Sequence, residues 1–308
     1  MARFIKKTIL FLAINAALFL VLTTIVVFLN KSFTEDCPST NGIENIILGD
    51  SHIMWSLDDR QLKNTRNFAL NAEGYIYTFE KLRYLLNRKN DIKRVYLGFS
   101  YHNLSSYYND YLFGALSLHF FYRYIGILGI DDYKALVWEN PKNIILMPPI
   151  IFRRGLWNIL SRKCTFLGKF PKKKMQQTFQ IEKAKERIKA QYYSEGTIDS
   201  FSKINVDYLK KIINLCRRNG IEIIALNTPL QAEYQKQIPE KFVSEYGRLL
   251  KAYNLEVFEF SGLQLPNSYF LPDGDHVNYN GAMAVTSFFK KRLEIGHYKD
   301  DRAMSDMH

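Results

Sequence analysis

Two segments far apart in the chain carry residues that could form a nucleophile and its general base. The first is the run 46–51, Ile-Ile-Leu-Gly-Asp-Ser, in which an apolar stretch typical of a short buried strand ends before a helical stretch at 54–62. A serine at the end of a strand can expose its hydroxyl at the edge of a sheet, as a nucleophile requires. Ser51 is therefore a candidate nucleophile, although Asp50 and Ser51 could equally serve only to cap the helix.

The candidate base is His276, in the segment 273–278, Asp-Gly-Asp-His-Val-Asn. A serine hydroxyl is a weak nucleophile without a base, and Asp273 could hold the imidazole in the required tautomer. Asp275 competes for this role, but a residue adjacent to His276 is poorly placed to reach back to its ring. The alternative interpretation is an exposed turn rich in Asp, Gly and Asn that happens to contain a histidine.

Together the two segments resemble the SGNH/GDSL hydrolase family. That family carries Gly-Asp-Ser near the start of its domain and Asp-x-x-His near the end, often continued as His-x-Asn-x-x-Gly. Residues 49–51 and 273–281 match both motifs in the family's order, and the resemblance covers roughly residues 44–295 apart from an insertion. It implies a catalytic triad of Ser51, His276 and Asp273 that forms an acyl-serine, and we expect no cofactor.

The resemblance also implies an oxyanion hole built from two or three fixed donors. The N–H of Ser51 is one, and the nearest matches to the family's glycine and asparagine donors are Gly74 and Asn103. The usual Gly-x-Asn-Asp is replaced here by 98–103, Gly-Phe-Ser-Tyr-His-Asn, so Asn103 would act from a reshaped loop or serve only as a turn residue. Gly74 could likewise serve only its turn. His52 and His102 are candidate substrate contacts.

Alternating strands and helices predict an α/β fold, namely a three-layer sandwich with a central parallel sheet. The resemblance implies that this sandwich is of the SGNH or flavodoxin-like kind. Apolar runs predict strands at 45–48, 65–69, 94–99, 222–226 and 256–260. Helical spacing predicts helices at 75–87, 204–216, 242–253 and 280–293. In such sheets the site lies at the carboxyl ends of the strands, where Ser51 and the turns at 71–74 and 100–103 fall.

The N-terminus contains a predicted membrane anchor. Residues 8–29 are mostly apolar and long enough to span a bilayer as a helix. Three basic residues precede this stretch, while the following residues 31–36 contain one basic and two acidic residues. The positive-inside rule then places the N-terminus in the cytoplasm and the rest of the chain outside, in the periplasm or extracellular space. A cleavable signal peptide is the alternative, but we find no clear small-x-small site after Leu29.

The predicted organisation is a cytoplasmic N-terminus (1–7), an anchor (8–29), a linker (30–43), a hydrolase-like domain (44–295) with an insertion at about 104–199, and a polar tail (296–308). A net charge of +12 suggests an anionic neighbour, and nucleic acid is improbable outside the membrane. No cluster of His, Asp and Glu has a convincing metal spacing. The three cysteines do not settle the compartment, and Cys216 fits a core position.

The insertion raises a second membrane question. Residues 111–130 are mostly apolar, but one further crossing would put His276 across the bilayer from Ser51, and Arg123 would be costly in hydrocarbon. We therefore expect a helix that lies on the membrane or packs on the domain. The dense basic residues between Arg153 and Lys189 would attract anionic headgroups, or form a solvated face.

The sequence thus predicts a membrane-anchored serine esterase or O-acyltransferase acting on acyl, chiefly acetyl, esters of cell-surface carbohydrate, with membrane lipid as a neighbour. Membrane-anchored proteins similar in design, in alginate acetylation and teichoic-acid alanylation, work beside a membrane-bound O-acyltransferase, which makes such an enzyme a candidate partner by analogy. The alternative is a catalytically silent anchored scaffold or glycan-binding protein with the same fold.

Overall fold

The computed structural model describes residues 1–38, 40–260 and 263–295 of the chain, and the predicted polar tail at 296–308 lies outside these. The chain divides into two compact units. Unit 1 comprises Met1–Pro38 and Asp110–Phe166, and unit 2 comprises Ser39–Asn109 and Leu167–His308. Unit 1 thus contains the predicted anchor and the central part of the predicted insertion, whereas the two ends of that insertion belong to unit 2.

The strands, numbered in chain order, are β1 (Asn45–Leu48), β2 (Thr65–Asn67), β3 (Arg94–Gly98), β4 (Tyr193–Ser194), β5 (Thr197–Ile198), β6 (Glu222–Asn227) and β7 (Glu256–Glu259). The α-helices are α1 (Ala2–Thr34), α2 (Ser51–Ser56), α3 (Tyr75–Leu86), α4 (Tyr107–Leu112), α5 (Ser117–Phe120), α6 (Ile130–Glu139), α7 (Asn143–Ser161), α8 (Ile181–Tyr192), α9 (Lys203–Arg218), α10 (Ala232–Gln235), α11 (Glu240–Ala252) and α12 (Tyr279–Ile295).

Unit 2 is built on a parallel sheet of five strands in the order β2-β1-β3-β6-β7. Each of these strands begins at the residue predicted from the sequence and ends within two residues of the predicted end. The prediction of an α/β fold with a central parallel sheet is confirmed.

Both faces of the sheet are buried, as the apolar strand sequences require. On one face Tyr96 and Phe258 pack against Phe289 of α12, with ring centroids 5.0 Å apart in each pair. Side chains alternate between the faces of a strand, so Val95 and Leu97 point to the opposite face, and both are fully buried. The short strands are therefore held between two apolar layers, which fixes where their carboxyl ends lie.

Two helical predictions differ from the structure. The helix predicted at 54–62 begins earlier, at Ser51, and ends at Ser56, because Asp58 caps a separate short turn by accepting from the N–H of Arg60 at 3.2 Å. The single surface helix expected across 111–130 is wrong. Only short helical pieces occur there, and the glycines at 114, 126 and 129 are poor helix formers.

Unit 1 is helical, and its main feature is α1, the helix in the described part of the chain that is long and apolar enough to cross a membrane. α1 packs against α7, and the Asn30 side chain donates to the carbonyl of Gly155 at 3.0 Å. A disulfide joins Cys37 to Cys164. Cys216, in unit 2, is a free and buried thiol, as predicted for a core position.

Candidate active site

The nucleophile turn depends on a glycine. Gly49 follows β1 with φ +136, a conformation that favours glycine, and a Cβ atom there would lie 3.2 Å from the backbone N and Cα of Gly98 at the end of β3. Asp50 then caps α2 by accepting from the N–H of His52 at 2.9 Å. Ser51 is the first residue of α2, so the turn places it at the carboxyl edge of the sheet.

Ser51, His276 and Asp273 form a continuous chain of contacts. The Ser51 Oγ lies 2.8 Å from His276 Nε2, and His276 Nδ1 lies 2.8 Å from Asp273 Oδ2. Because the carboxylate accepts from Nδ1–H, Nε2 is left to accept the proton of the serine hydroxyl. All three residues are partly exposed, so a substrate can reach them.

The loop that carries His276 is held by the same acid that orients its ring. Asp273 Oδ1 accepts from the backbone N–H groups of Asp275 and His276, each at 3.2 Å. The carbonyl of His276 accepts from Leu271 N–H at 2.8 Å. Asp273 therefore positions the backbone with one oxygen and the imidazole with the other.

The rest of the His-x-Asn-x-x-Gly motif is structural. The Asn278 side chain accepts from the N–H groups of Asn280 and Gly281 at 3.0 and 3.1 Å, which caps the start of α12. A Cβ atom on Gly281 would lie 2.3 Å from the carbonyl oxygen of Tyr269, so a larger residue does not fit. The motif thus anchors the histidine loop to α12.

A second, buried polar cluster surrounds Asp50. Its Oδ2 lies 2.7 Å from His102 Nε2, accepts from Asn103 Nδ2 at 2.8 Å and accepts the hydroxyl of Tyr108. Burial alone would raise the pKa of Asp50, but the charge and hydrogen bond of His102, together with the other donors, hold that pKa well below its usual range. Asp50 is therefore a buried carboxylate that stays ionised and holds the loop after β3 against the nucleophile turn.

A third cluster centres on Asp275, whose side chain is fully buried. Its Oδ2 accepts from Arg187 Nε at 2.6 Å and from Gln191 Nε2 at 2.9 Å, both on α8. Its Oδ1 lies 3.0 Å from His52 Nε2. Burial raises the pKa of Asp275, but His52 and Arg187 outweigh it and hold that pKa well below its usual range.

The three histidines of these clusters are packed on one another, and each is paired with a carboxylate. His52 stacks on His102 with ring centroids 3.7 Å apart and an interplanar angle of 16°. The rings of His52 and His276 have centroids 4.6 Å apart. Three His–Asp pairs, 276 with 273, 52 with 275 and 102 with 50, are therefore packed together, and His276 contacts the Ser51 hydroxyl.

The pKa values of His276 and His52 shift in opposite directions. Burial lowers the pKa of His276, but the hydrogen bond and charge of Asp273, with the charge of Asp275, outweigh it and raise that pKa. For His52, burial together with the neighbouring imidazoles outweighs the opposing effect of Asp275 and lowers the pKa to about 4. His276 is thus set up to accept a proton, whereas His52 stays neutral at physiological pH.

The other predicted site residues are placed as follows. Asn103 Nδ2 contacts Asp50 Oδ2 at 2.8 Å and the Tyr108 hydroxyl at 3.4 Å, so both of its hydrogens have acceptors and the predicted oxyanion role has no free donor in this arrangement. His52 and His102 are each 3% exposed, which leaves no surface for the predicted substrate contacts. Gly74 is the N-cap residue of α3, with an extended backbone.

Sequence reasoning missed the residues that support the triad from behind. Arg187 and Gln191 lie in the predicted insertion, and their side chains donate to the buried Asp275 at 2.6 and 2.9 Å. Tyr108 lies in a run of tyrosines, and the sequence pattern gives no reason to single it out. The sequence carries one signal of this support, namely Asp275. It is an acidic residue next to the candidate base, and an exposed turn does not need an acid at that position.

One group of potential metal ligands occurs in the described residues. Ligand atoms of His52, Asp275 and His276 lie within 4.8 Å of one another. However, Asp275 is already paired with the guanidinium of Arg187 at 2.6 Å, and His276 Nδ1 is bonded to Asp273. A cation beside Arg187 would meet a like charge, so these residues fit their present ion pairs better than a metal.

Comparisons with known proteins leave the family open. A protein-family model without a functional description matches residues 169–296, less than half of the chain. No curated protein sequence matches. One solved structure, described as a "putative platelet activating factor" from Streptococcus pneumonia, aligns over 92% of this chain and 98% of its own, with 12% identity and a TM-score of 0.41. We draw no functional conclusion from a likeness at that level.

Proposed function

We propose that this chain is a membrane-anchored serine esterase or O-acyltransferase of the SGNH/GDSL kind, with the three-layer sandwich of that family, acting on acyl esters of cell-surface carbohydrate. One observation carries the proposal. Ser51, His276 and Asp273, which the sequence separates by up to 225 residues, lie in a single hydrogen-bonded chain with both bonds at 2.8 Å. That is the arrangement that activates a serine hydroxyl.

In the proposed mechanism, His276 Nε2 takes the proton of Ser51 as its Oγ attacks the ester carbonyl carbon. Asp273 stabilises the imidazolium that forms. The imidazolium then gives its proton to the departing alkoxide, which leaves an acyl-serine. Water or a sugar hydroxyl, deprotonated by the same imidazole, then attacks the acyl carbon. The bond to Ser51 Oγ breaks as the imidazolium returns the proton to that oxygen. Water gives hydrolysis, and a sugar hydroxyl gives transfer.

The oxyanion of each tetrahedral intermediate needs fixed donors. The backbone N–H groups of Ser51 and Gly74 are the proposed donors, both at starts of helices that follow sheet strands. The start of α3 at Gly74 is itself fixed, because Asn205 Oδ1 accepts from the N–H of Tyr75 at 3.0 Å. Asn103 is assigned here to holding Asp50 instead.

Two features of unit 1 support an uncleaved anchor with the domain outside the cytoplasm. Val26 and Asn30 of α1 are buried against the rest of unit 1, which a removable signal segment would not require. The Cys37–Cys164 disulfide is typical of oxidising compartments, on the side of the membrane that the basic N-terminus also favours. A reporter fused after residue 308 should be active outside the cytoplasm, and activity inside would reverse the orientation.

Labelling with a fluorophosphonate probe tests the nucleophile on the full-length protein in detergent. We expect the probe on Ser51, with labelling lost in Ser51→Ala and His276→Ala and retained in Ser244→Ala, which alters an exposed serine of α11. Absence of labelling in the unmodified protein would favour the silent scaffold. The protein is then incubated with an aryl acetate and a glycan acceptor, and mass spectrometry follows the acetyl group. An acetylated glycan indicates transfer, whereas free acetate alone indicates hydrolysis.

A further inference from the structure

The outward face of α7 is apolar near both ends of the helix. Its exposed apolar residues are Ile144, Ile145, Leu146, Leu156, Trp157 and Leu160. Ile145 is 77% exposed and Leu160 is 70% exposed, and the exposed Arg153 and Arg154 lie between the two apolar groups. Large apolar side chains exposed together in this way mark a contact surface rather than a face for water.

The opposite face of α7 packs on α1 inside the apolar stretch. Gly155 allows close approach, because a Cβ atom there would lie 2.7 Å from Val26 and 2.9 Å from Asn30. Further back, the rings of Phe152 and Phe19 have centroids 5.6 Å apart. Phe19 and Val26 belong to the stretch 8–29, so α7 covers a part of α1 that would otherwise face lipid.

We propose that the part of α7 from Phe152 to Ser161 is inserted beside α1 in the outer leaflet, with Leu156, Trp157 and Leu160 against the acyl chains of the bilayer. A hydrocarbon core about 30 Å thick takes up about 20 helical residues, so the apolar stretch fills it and its Phe19–Val26 part lies inside. A helix in contact with that part lies in the same layer. The inference rests on the proposed anchor but not on the proposed catalysis.

The basic residues at the end of α7 agree with a position in the outer leaflet. Later residues of α7 meet later residues of α1, so the two helices run in the same direction. Arg162 and Lys163 follow Gly155 by seven and eight residues, a rise of about 10 Å, and both are exposed. They therefore lie beyond the apolar stretch of α1, where anionic headgroups attract basic side chains.

Tryptophan quenching tests the insertion in the full-length protein, reconstituted into liposomes of phosphatidylglycerol and phosphatidylcholine with or without brominated acyl chains. The chain has three tryptophans. A variant with Trp55→Phe and Trp138→Phe reports only Trp157. The matched control, Trp138→Phe with Trp157→Phe, reports only Trp55, which donates to Asn71 in unit 2.

We expect brominated lipid to lower Trp157 emission about twofold, as for a ring at the acyl boundary, and to leave Trp55 emission unchanged. Trp157 emission that ignores bromine and is quenched by aqueous iodide would overturn the inference, and would point to a partner protein that covers this face instead. Loss of the protein from the liposomes in an alkaline wash would overturn the anchor as well. Probe labelling of Ser51 on the same liposomes reads the catalytic proposal separately.

Discussion

The His276–Asp273 and His52–Asp275 pairs use the same residue types but differ in their surroundings. The first is partly exposed, with its free ring nitrogen 2.8 Å from the Ser51 hydroxyl. The second is buried, and His52 Nδ1 has no hydrogen-bond partner among the described residues. The pKa of His276 is raised, whereas that of His52 is lowered to about 4.

The difference shows that a carboxylate beside an imidazole does not by itself raise the pKa of the imidazole. Asp273 is committed to His276 by an aligned hydrogen bond, whereas the negative charge of Asp275 is shared with Arg187 and Gln191. His52 also lies between two other imidazoles, whose positive charge would oppose its own. One pair is thus suited to proton transfer, and the other to holding the histidine loop in place.

Removing the exposed imidazole should break the comparison most completely. We expect His276→Ala to lower kcat/KM for an aryl ester by about 10⁵-fold, because Ser51 loses its base. His102→Ala is the matched removal of a buried imidazole and should retain more activity. Equal losses in the two variants, measured on protein of the same melting temperature, would remove the distinction.

The orienting acid comes next. Asp273→Asn should lower kcat by about 10³–10⁴-fold, because the amide no longer favours the Nδ1–H tautomer of His276. Steady-state kinetics with an aryl acetate measure the change, and circular dichroism checks that the loop mutation leaves the fold intact. A loss of less than tenfold would mean that Asp275 can replace Asp273.

The buried pair should show itself in acid stability. His52 is neutral in the folded chain down to about pH 4 but takes up a proton near pH 6.5 when unfolded, so stability falls as pH falls from 6.5 to 4. Its contribution is roughly 3 kcal/mol over that window. The raised pKa of His276 adds no loss there, because its stabilisation is fully present below the unfolded value.

We therefore expect His52→Gln to make the free energy of unfolding, measured on full-length protein in detergent, less sensitive to pH between 6.5 and 4. The measurement is the difference in the free energy of unfolding between variant and unmodified protein at pH 7 and at pH 4.5. The same pH slope in both proteins would contradict a neutral, buried His52.

The pH profile of catalysis tests the raised pKa of His276, the other member of the comparison. A general base works when deprotonated, so kcat/KM should rise with pH through a value above the usual 6.5 of histidine. Asp275→Asn removes a charge that raises the pKa of His276, and the rise should move to lower pH. A profile unmoved by this change would mean that Asp273 alone sets the basicity of His276.

The smallest expected effect concerns the Asp50 cluster. Tyr108→Phe removes one hydroxyl donor from a buried carboxylate that keeps His102, Asn103 and a backbone N–H. We expect about 1–2 kcal/mol less stability and less than a tenfold change in activity. Thermal melts and kinetics on the same sample give both numbers, and a large catalytic loss at unchanged stability would assign Tyr108 a direct role.

The parts of the molecule that depend on local pattern were predictable. The five strands follow from apolar runs. Ser51, His276 and Asp273 could be predicted from two short motifs and from the order of those motifs along the chain. The contact between Arg187 and Asp275 could not be predicted, because these residues are 88 positions apart in the sequence and meet only in the folded chain. The burial of His52 and His102 could not be predicted, since sequence does not reveal which side of a turn is buried. The segment 111–130 was taken for one helix because hydrophobicity outweighed its glycines.

The Cys37–Cys164 bond spans a sequence separation of 127 and bears on the proposed anchoring by α1. A protease that cuts the backbone between residues 40 and 44 severs the direct path from α1 to β1. The fragment that contains the sheet would still be tethered, since Cys164 connects it through sulfur to the segment that ends α1. With α1 as the anchor, release of the sheet from a membrane would then require a reductant as well as a cut.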